Sequence, residues 1–261
     1  RSTLFPYTTL FRSRTGRLHN ITARLGLQNT NGLWISIHAT DIDNDGYEDL
    51  LIGNRGTNSK LHASTDYPLQ LYTGDLDNNG DLDQLMCIEK DRKYYFFLGK
   101  EEIERSFPGI IKKKYLDYKT MAGLTVEEIL GDRLATLKKL SVTTLASAMI
   151  KNTKGRLSLS ELPGPVQWSP VFAFSTGDFN GDGSIDIITG GNFSGVLPYE
   201  GRYDASYGNL LLNKGSLFSP LYPLGSGLCF DGEVRDIKRI NIRGKQVLMA
   251  GSRSEERRVG K

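Results

Sequence analysis

Three short stretches of this chain carry oxygen-bearing side chains at one shared spacing. They are Asp41-Ile42-Asp43-Asn44-Asp45-Gly46-Tyr47-Glu48-Asp49, Asp75-Leu76-Asp77-Asn78-Asn79-Gly80-Asp81-Leu82-Asp83 and Asp178-Phe179-Asn180-Gly181-Asp182-Gly183-Ser184-Ile185-Asp186. In each, positions 1, 3, 5 and 9 are Asp or Asn, position 6 is Gly, and an apolar run follows position 9. A hard cation such as Ca2+ takes about 6–8 oxygen ligands at about 2.3–2.6 Å, and a loop offering alternate residues wraps one ion if it turns sharply. Gly at position 6 permits that turn by accepting positive φ. Position 7 is expected to offer its backbone carbonyl, which leaves its side chain free to vary. The expected ligands are therefore Asp41, Asp43, Asp45, Tyr47 and Asp49 in the first loop and Asp75, Asp77, Asn79, Asp81 and Asp83 in the second. In the third they are Asp178, Asn180, Asp182, Ser184 and Asp186. So many acidic groups in so small a space repel one another unless a cation stands between them.

The elements around the loops decide which calcium device this is. An EF-hand needs a bidentate Glu at position 12 and a helix on each side. Position 12 is Ile52, Met86 and Thr189 instead. Before the loops stand Trp34–Ala39, Leu69–Tyr72 and Val171–Ser175; after them come Leu50–Gly53, Leu85–Ile88 and Ile187–Gly190. These are short apolar runs rich in β-branched and aromatic residues and bounded by Gly and Asn, the pattern of buried strands. The repeating unit reads as strand, calcium loop, strand. An Asp/Asn/Gly hairpin turn without metal is the competing reading of any single copy.

Strand–DxDxDGxxD–strand repeats resemble the FG-GAP or VCBS repeats of calcium-containing β-propellers. The runs Gly32-Leu33-Trp34 through Asn54-Arg55-Gly56-Thr57-Asn58-Ser59-Lys60 and Gly201-Arg202-Tyr203-Asp204-Ala205-Ser206-Tyr207-Gly208 are similar to the VCBS repeat proteins that accompany ASPIC/UnbV domains in exported bacterial proteins. The resemblance covers residues 14–252. It implies an all-β fold, a partial calcium-binding β-propeller of about four blades, with the remaining blades of a longer chain as its natural neighbours. It also implies Ca2+ as cofactor and an extracellular, periplasmic or cell-surface location.

The ends of the chain do not follow the repeat. Residues 1–13 and 253–261 resemble translated sequencing adapter and are set aside from fold reasoning. Residues 14–252 then hold 27 basic and 28 acidic groups, in place of the net +3 of the whole sequence. With no basic stripe and no aromatic stacking motif, nucleic acid is not an expected partner. No run approaches the roughly 18 apolar residues of a membrane span. Cys87 lies in an apolar strand and Cys229 between Leu228 and Phe230; two cysteines make no disulfide framework, and both are expected as buried free thiols.

Spacing adds two expectations. The second loop begins 34 residues after the first, short for a four-stranded blade, and the third begins 103 residues after the second, so that interval holds an insertion. The insertion is expected to be helical over about 100–140: Thr125-Val126-Glu127-Glu128 is a capping box with Leu124 and Ile129 as its staple, and Val126, Ile129, Leu130, Leu134, Leu137 and Leu140 follow a helical stripe interrupted by Gly131. Ser141–Lys151 and Arg156–Glu161 read as strands joined across Asn152–Gly155. Phe230-Asp231-Gly232-Glu233 sits where a fourth repeat would be but lacks the ligand set.

Nothing in the sequence assembles catalysis. His19, His38 and His62 are scattered outside any zinc or triad signature, and Ser194 follows a strand without a nucleophile elbow. The chain is expected not to be an enzyme. Arg202, Tyr203, Asp204 and Tyr207 form the one polar-aromatic cluster outside the loops; they read either as a turn capping a blade edge or as a sugar or peptide site. Two functions remain: a calcium-stabilised adhesion, ligand-binding or scaffolding module with a protein or glycan partner, and a polysaccharide-binding or polysaccharide-degrading propeller of lectin or lyase type.

Overall fold

The structure, a computed structural model, describes residues 11–14, 16–106, 111–112, 114–197, 200–215 and 217–253. In chain order the strands are β1 (Phe11–Arg14), β2 (Arg17–Asn20), β3 (Ser36–Thr40), β4 (Asp49–Gly53), β5 (Leu69–Gly74), β6 (Asp83–Lys90), β7 (Lys93–Phe96) and β8 (Lys138–Val142). They continue with β9 (Ala148–Thr153), β10 (Arg156–Glu161), β11 (Val171–Gly177), β12 (Asp186–Gly191), β13 (Asn209–Asn213), β14 (Phe218–Leu221), β15 (Glu233–Ile242) and β16 (Lys245–Arg253). Among the described residues these form three four-stranded antiparallel sheets and two two-stranded ribbons, so the chain is mostly β. The chain divides into two compact units. One runs up to Gln28, includes Gly32–Lys60, and resumes from Leu145; the other is Asn29–Asn31 with Leu61–Thr144.

The first unit holds the sheets β10-β9-β4-β3 and β11-β12-β13-β14 and the ribbons β1-β2 and β15-β16. Leu51, Val171, Phe174, Ile187 and Leu211 form one buried cluster, and Ala173, Ile188, Val234 and Ile237 another, so β11 and β12 are apolar on both faces. The adjacent apolar pair Ile187-Ile188, one residue on each face, follows from that two-sided burial. The backbones of β4 and β11 come close. A Cβ on Gly53 would stand 2.2 Å from the carbonyl oxygen of Val171, so only glycine fits there. Ser36 Oγ donates to the same carbonyl at 2.8 Å.

The second unit packs the sheet β7-β6-β5-β8 against helical segments Lys100–Ser106, Tyr118–Met121 and Val126–Leu130. Tyr72, Leu85 and Cys87 from the sheet meet Ile103, Val126, Ile129 and Leu130 in one buried cluster, with Leu124 packed against it. The capping box is formed: Glu128 N–H donates to Thr125 Oγ1 at 3.2 Å and Thr125 N–H donates to Glu128 Oε2 at 2.7 Å.

Several expectations need correction. Residues 54–147 enter between β4 and β9, which are neighbours paired Leu50↔Ile150, Leu51↔Met149 and Ile52↔Ala148. The second loop therefore lies inside an excursion from the first sheet, which explains both the short and the long interval between loops. The stripe from Val126 breaks at Gly131, where the α-helix ends and a 3₁₀ segment at Gly131–Thr136 begins, but it does not run on as helix to Leu140, which belongs to β8. The run Ser141–Lys151 is split between β8 and β9, which sit in different sheets. Strand pairing passes both expected boundaries of the repeat region, since Phe11–Ser13 lie in β1 and Arg253 in β16; residues 1–10 and 254–261 of those ends are outside the described residues. Both cysteines are free, but only Cys87 is buried; Cys229 is exposed.

Candidate metal centres

Each loop joins two antiparallel neighbours, β3 to β4, β5 to β6 and β11 to β12. Position 6 has the left-handed backbone that glycine permits, with φ of 88° at Gly46, 87° at Gly80 and 86° at Gly183. Position 4 is left-handed as well, at Asn44 (φ 56°), Asn78 (φ 60°) and Gly181 (φ 81°). Asn and Gly are the residues that tolerate this, so the Asn/Asn/Gly column at position 4 was an unread signal.

Hydrogen bonds hold the turns. The position 1 carboxylate accepts from the N–H groups of positions 5 and 6: Asp41 from Asp45 (3.0 Å) and Gly46 (2.9 Å), and Asp75 from Asn79 (3.0 Å) and Gly80 (2.9 Å). Asp178 does the same for Asp182 (3.2 Å) and Gly183 (2.9 Å). The position 9 carboxylate reaches back to position 2, Asp49 to Ile42 N–H (3.1 Å), Asp83 to Leu76 N–H (2.9 Å) and Asp186 to Phe179 N–H (3.0 Å). In the first unit it does more. The other oxygen of Asp49 accepts from Asn152 N–H on β9 at 2.7 Å, and that of Asp186 from Asn213 N–H on β13 at 2.9 Å. Asp49 and Asp186 are both wholly buried.

The structure gathers part of the expected ligand set. Asp41, Asp43 and Asp49 each place a carboxylate oxygen within 4.8 Å of the others, and so do Asp75, Asp77 and Asp83. Among the described residues the third loop, with Asn180 at position 3, forms no such group of three acidic side chains. Asp45 stands outside the first group and accepts from Tyr47 N–H at 2.8 Å; Asn79 and Asp182 likewise accept from Asp81 N–H (2.7 Å) and Ser184 N–H (2.8 Å). The side chains of Tyr47, Asp81, Asp178 and Asn180 are exposed and Ser184 is half-buried.

These are hard oxygen donors, and in the second loop they are least satisfied by the protein's own groups. Asp77 Oδ1 is buried and accepts no hydrogen bond. Burial pushes the Asp83 carboxyl above the usual range despite its bond from Leu76, and the neighbouring Asp77, Asp75 and Asp81 push it further. The first loop already holds a cation of its own: Lys151 Nζ lies 2.7 Å from Asp43 Oδ2, and that bond holds the Asp43 carboxyl below its ordinary range.

A second place collects polar groups. A cavity of about 420 Å³ in the first unit is bordered by Arg202, Asp204 and Tyr207 from the sequence-singled cluster. Tyr203 is not among them; it is buried, its backbone bridges to Phe193, and the Arg55 guanidinium lies 4.4 Å above its ring. Glu233, which ends the Phe230–Glu233 stretch that lacks the ligand set of a fourth repeat, is buried and lines this cavity. Its Oε1 accepts from Ser194 N–H at 2.7 Å and from the Ser194 hydroxyl, and its other oxygen pairs with Arg235. Burial raises the Glu233 carboxyl, but the Ser194 donors and the Arg235 and Arg253 charges outweigh it and leave it below the ordinary value.

Residues 33–63, which contain β3, the first loop and β4, match the family described as FG-GAP repeat. A search of the curated proteins found no match. An FG-GAP repeat in a mostly β chain of four-stranded antiparallel sheets is consistent with a protein of the FG-GAP β-propeller kind. Among the described residues no helix is long and apolar enough to cross a membrane.

Proposed function

We propose that this chain is a non-enzymatic, calcium-binding β-propeller module of the FG-GAP/VCBS type, exported to an extracellular, periplasmic or cell-surface location, where it serves adhesion, ligand binding or scaffolding. The observation that carries the reading is the convergence of Asp41, Asp43 and Asp49 within the segment that matches the FG-GAP repeat. The same convergence at Asp75, Asp77 and Asp83, with the partnerless Asp77 Oδ1, supports it independently. Positions 1, 3 and 9 would hold the ion in the first two loops, and Asp178, Asn180, Asp182 and Asp186 would do so in the third. A bound divalent cation supplies neutralisation of like charges; the hydrogen bonds described above are what place the carboxylates to receive it.

Thermal melting in calcium and in chelator tests this directly. A ligand bound only by the native state stabilises by RT ln(1 + [L]/Kd), about 2.7 kcal/mol per site at a hundredfold excess over Kd. Calcium is expected to raise the melting temperature, and Mg2+, which demands tight octahedral geometry and dehydrates reluctantly, to substitute poorly. Superimposable curves with a silent calorimetric titration would reduce the loops to ordinary Asp/Gly turns.

A further inference from the structure

From the cavity above Glu233 we infer that the first unit carries a binding groove for a neutral oligosaccharide, in which Tyr207 and Trp168 are the stacking platforms of two adjoining subsites and Arg202 lies between them. The inference rests on reading the chain as a binding module and names the ligand of that module.

The first subsite is the 420 Å³ cavity, within the range of about 300–1,000 Å³ typical of small-molecule sites. Its floor is rigid and electrically satisfied. Glu233 is neutralised by Arg235 and the Ser194 donors, and the Arg235 guanidinium is itself seated 3.8 Å from the centre of the Phe172 ring. Asn192, held at a left-handed φ of 77°, ties three segments together: its amide donates to Ser206 O (2.6 Å) and Gly232 O (3.1 Å) and accepts from Ser206 N–H (3.1 Å). A preorganised floor loses little on binding.

The rim selects the ligand. Arg202 and Arg253 face Asp204 and Asp231 around the opening, two charges of each sign. Such a balance offers no net attraction to a polyanion or a polycation, but it supplies fork-shaped donors and paired acceptors for hydroxyl groups. Tyr207, a residue 55% exposed, stands beside them and offers an apolar ring face for the C–H side of a pyranose.

Arg202 also borders a second cavity of about 330 Å³, which Asn58, Ser59 and Trp168 line. Trp168 is 43% exposed and its ring stacks with Tyr222 at 6.5 Å between centroids, so it is fixed while remaining open to solvent. Two cavities sharing one guanidinium, each with an exposed aromatic ring, suit a ligand of several linked sugar units better than a single small molecule.

The test uses the whole chain in calcium buffer and calorimetric titration with neutral gluco-, manno-, galacto- and xylo-hexasaccharides, with oligogalacturonate and an acidic peptide as charged comparisons. At least one neutral hexasaccharide is expected to bind. Tyr207→Ala and Trp168→Ala should each weaken that binding by about tenfold or more, as loss of an aromatic anchor does. Binding of no neutral hexasaccharide, binding of the charged probes only, or affinities unmoved by both substitutions would overturn the inference. Calcium melting shifts measured on the same three proteins report separately on the module reading, so a failure of the groove and a failure of the calcium loops are told apart.

Discussion

Replacing Asp186 by Ala separates the structural from the ligand role of the loops. Asp186 is wholly buried; it accepts from Phe179 N–H at 3.0 Å and Asn213 N–H at 2.9 Å, so one carboxylate joins the loop entry, the start of β12 and the end of β13. Hydrogen bonds to a charged group contribute about 1.5–3 kcal/mol each, and truncation strands both N–H groups away from water, so the expected loss is about 3–6 kcal/mol. That is a large share of a typical stability of about 5–15 kcal/mol. With a urea slope of about 3 kcal/mol/M the midpoint should fall by about 1–2 M in chelator, and further in calcium, where a ligand of the third loop is lost as well. Asp182→Ala is the contrast. Its carboxylate is exposed, so the chelated midpoint should stay near that of the unsubstituted chain while the calcium increment of this loop is lost. Equilibrium urea unfolding of the three proteins, each with calcium and with chelator, decides the matter. A chelated Asp186→Ala protein that unfolds at the same urea concentration as the parent would show that the two backbone bonds carry no stability, and the reasoning would fall.

Three further outcomes follow from single contacts. Lys151→Met removes the ammonium that sits 2.7 Å from Asp43; an exposed pair of this kind is worth about 0.2–1 kcal/mol, so calcium affinity at the first loop should rise by up to about fivefold in a calorimetric titration, with the other loops unmoved. Burial pushes the Cys87 thiol up to about 12, with Glu127 adding to it, so at neutral pH a thiol reagent should label exposed Cys229 in the native protein and reach Cys87 only on unfolding, as peptide mass spectrometry would read. His38, whose ring nitrogen is 3.1 Å from Thr176 Oγ1, is held below its ordinary pKa first by burial and then by the charge of Lys238. The unfolded chain therefore takes up its proton first, and His38 makes stability fall as pH drops below about 6.5 and hold steady above it. Urea midpoints between pH 7.5 and 5.5 should fall less for His38→Gln than for the parent.

The loops were legible because their chemistry is local. Nine consecutive residues contain the turn, its glycine and its acids, so hydrogen bonds within the segment itself are enough to shape it. What the sequence hid was long-range pairing. Nothing near Leu50 announces that its neighbour is Ile150, and the intervening residues carry a complete sheet and core of their own. The break inside Ser141–Lys151 has no Gly or Pro to mark it. It is made by partners from elsewhere: Thr143 and Thr144 N–H groups donate to Asn31 O at 2.8 and 3.1 Å, and Ser147 N–H to Gln167 Oε1 at 2.7 Å. β14 shows the opposite case: Pro220 stands within it, and as an edge strand bonded to β13 it tolerates a missing N–H.

Equal spacing also conceals three different electrostatic arrangements. In the first loop Lys151 brings a tethered positive charge to Asp43. In the third, Asn180 replaces an acid and its amide donates to Asp182 Oδ2 at 2.8 Å, turning a repulsion into a hydrogen bond. The second loop has neither device. Asp75, Asp77 and Asp83 converge, Asp77 Oδ1 is buried without a partner, and burial, joined by the charges of Asp77, Asp75 and Asp81, pushes the Asp83 carboxyl upward. Among the described residues Asp83 accepts from Leu76 N–H but lacks the second anchoring described for Asp49 and Asp186. A consensus written as Asp-x-Asp-x-Asp-Gly treats the copies as equivalent, yet the residues that distinguish them lie off the motif, as Lys151 does, or at a conservative Asp/Asn exchange within it. On the calcium reading proposed above, the stabilisation each loop gains from a divalent cation should follow what stands opposite its carboxylates, and should be greatest in the second loop.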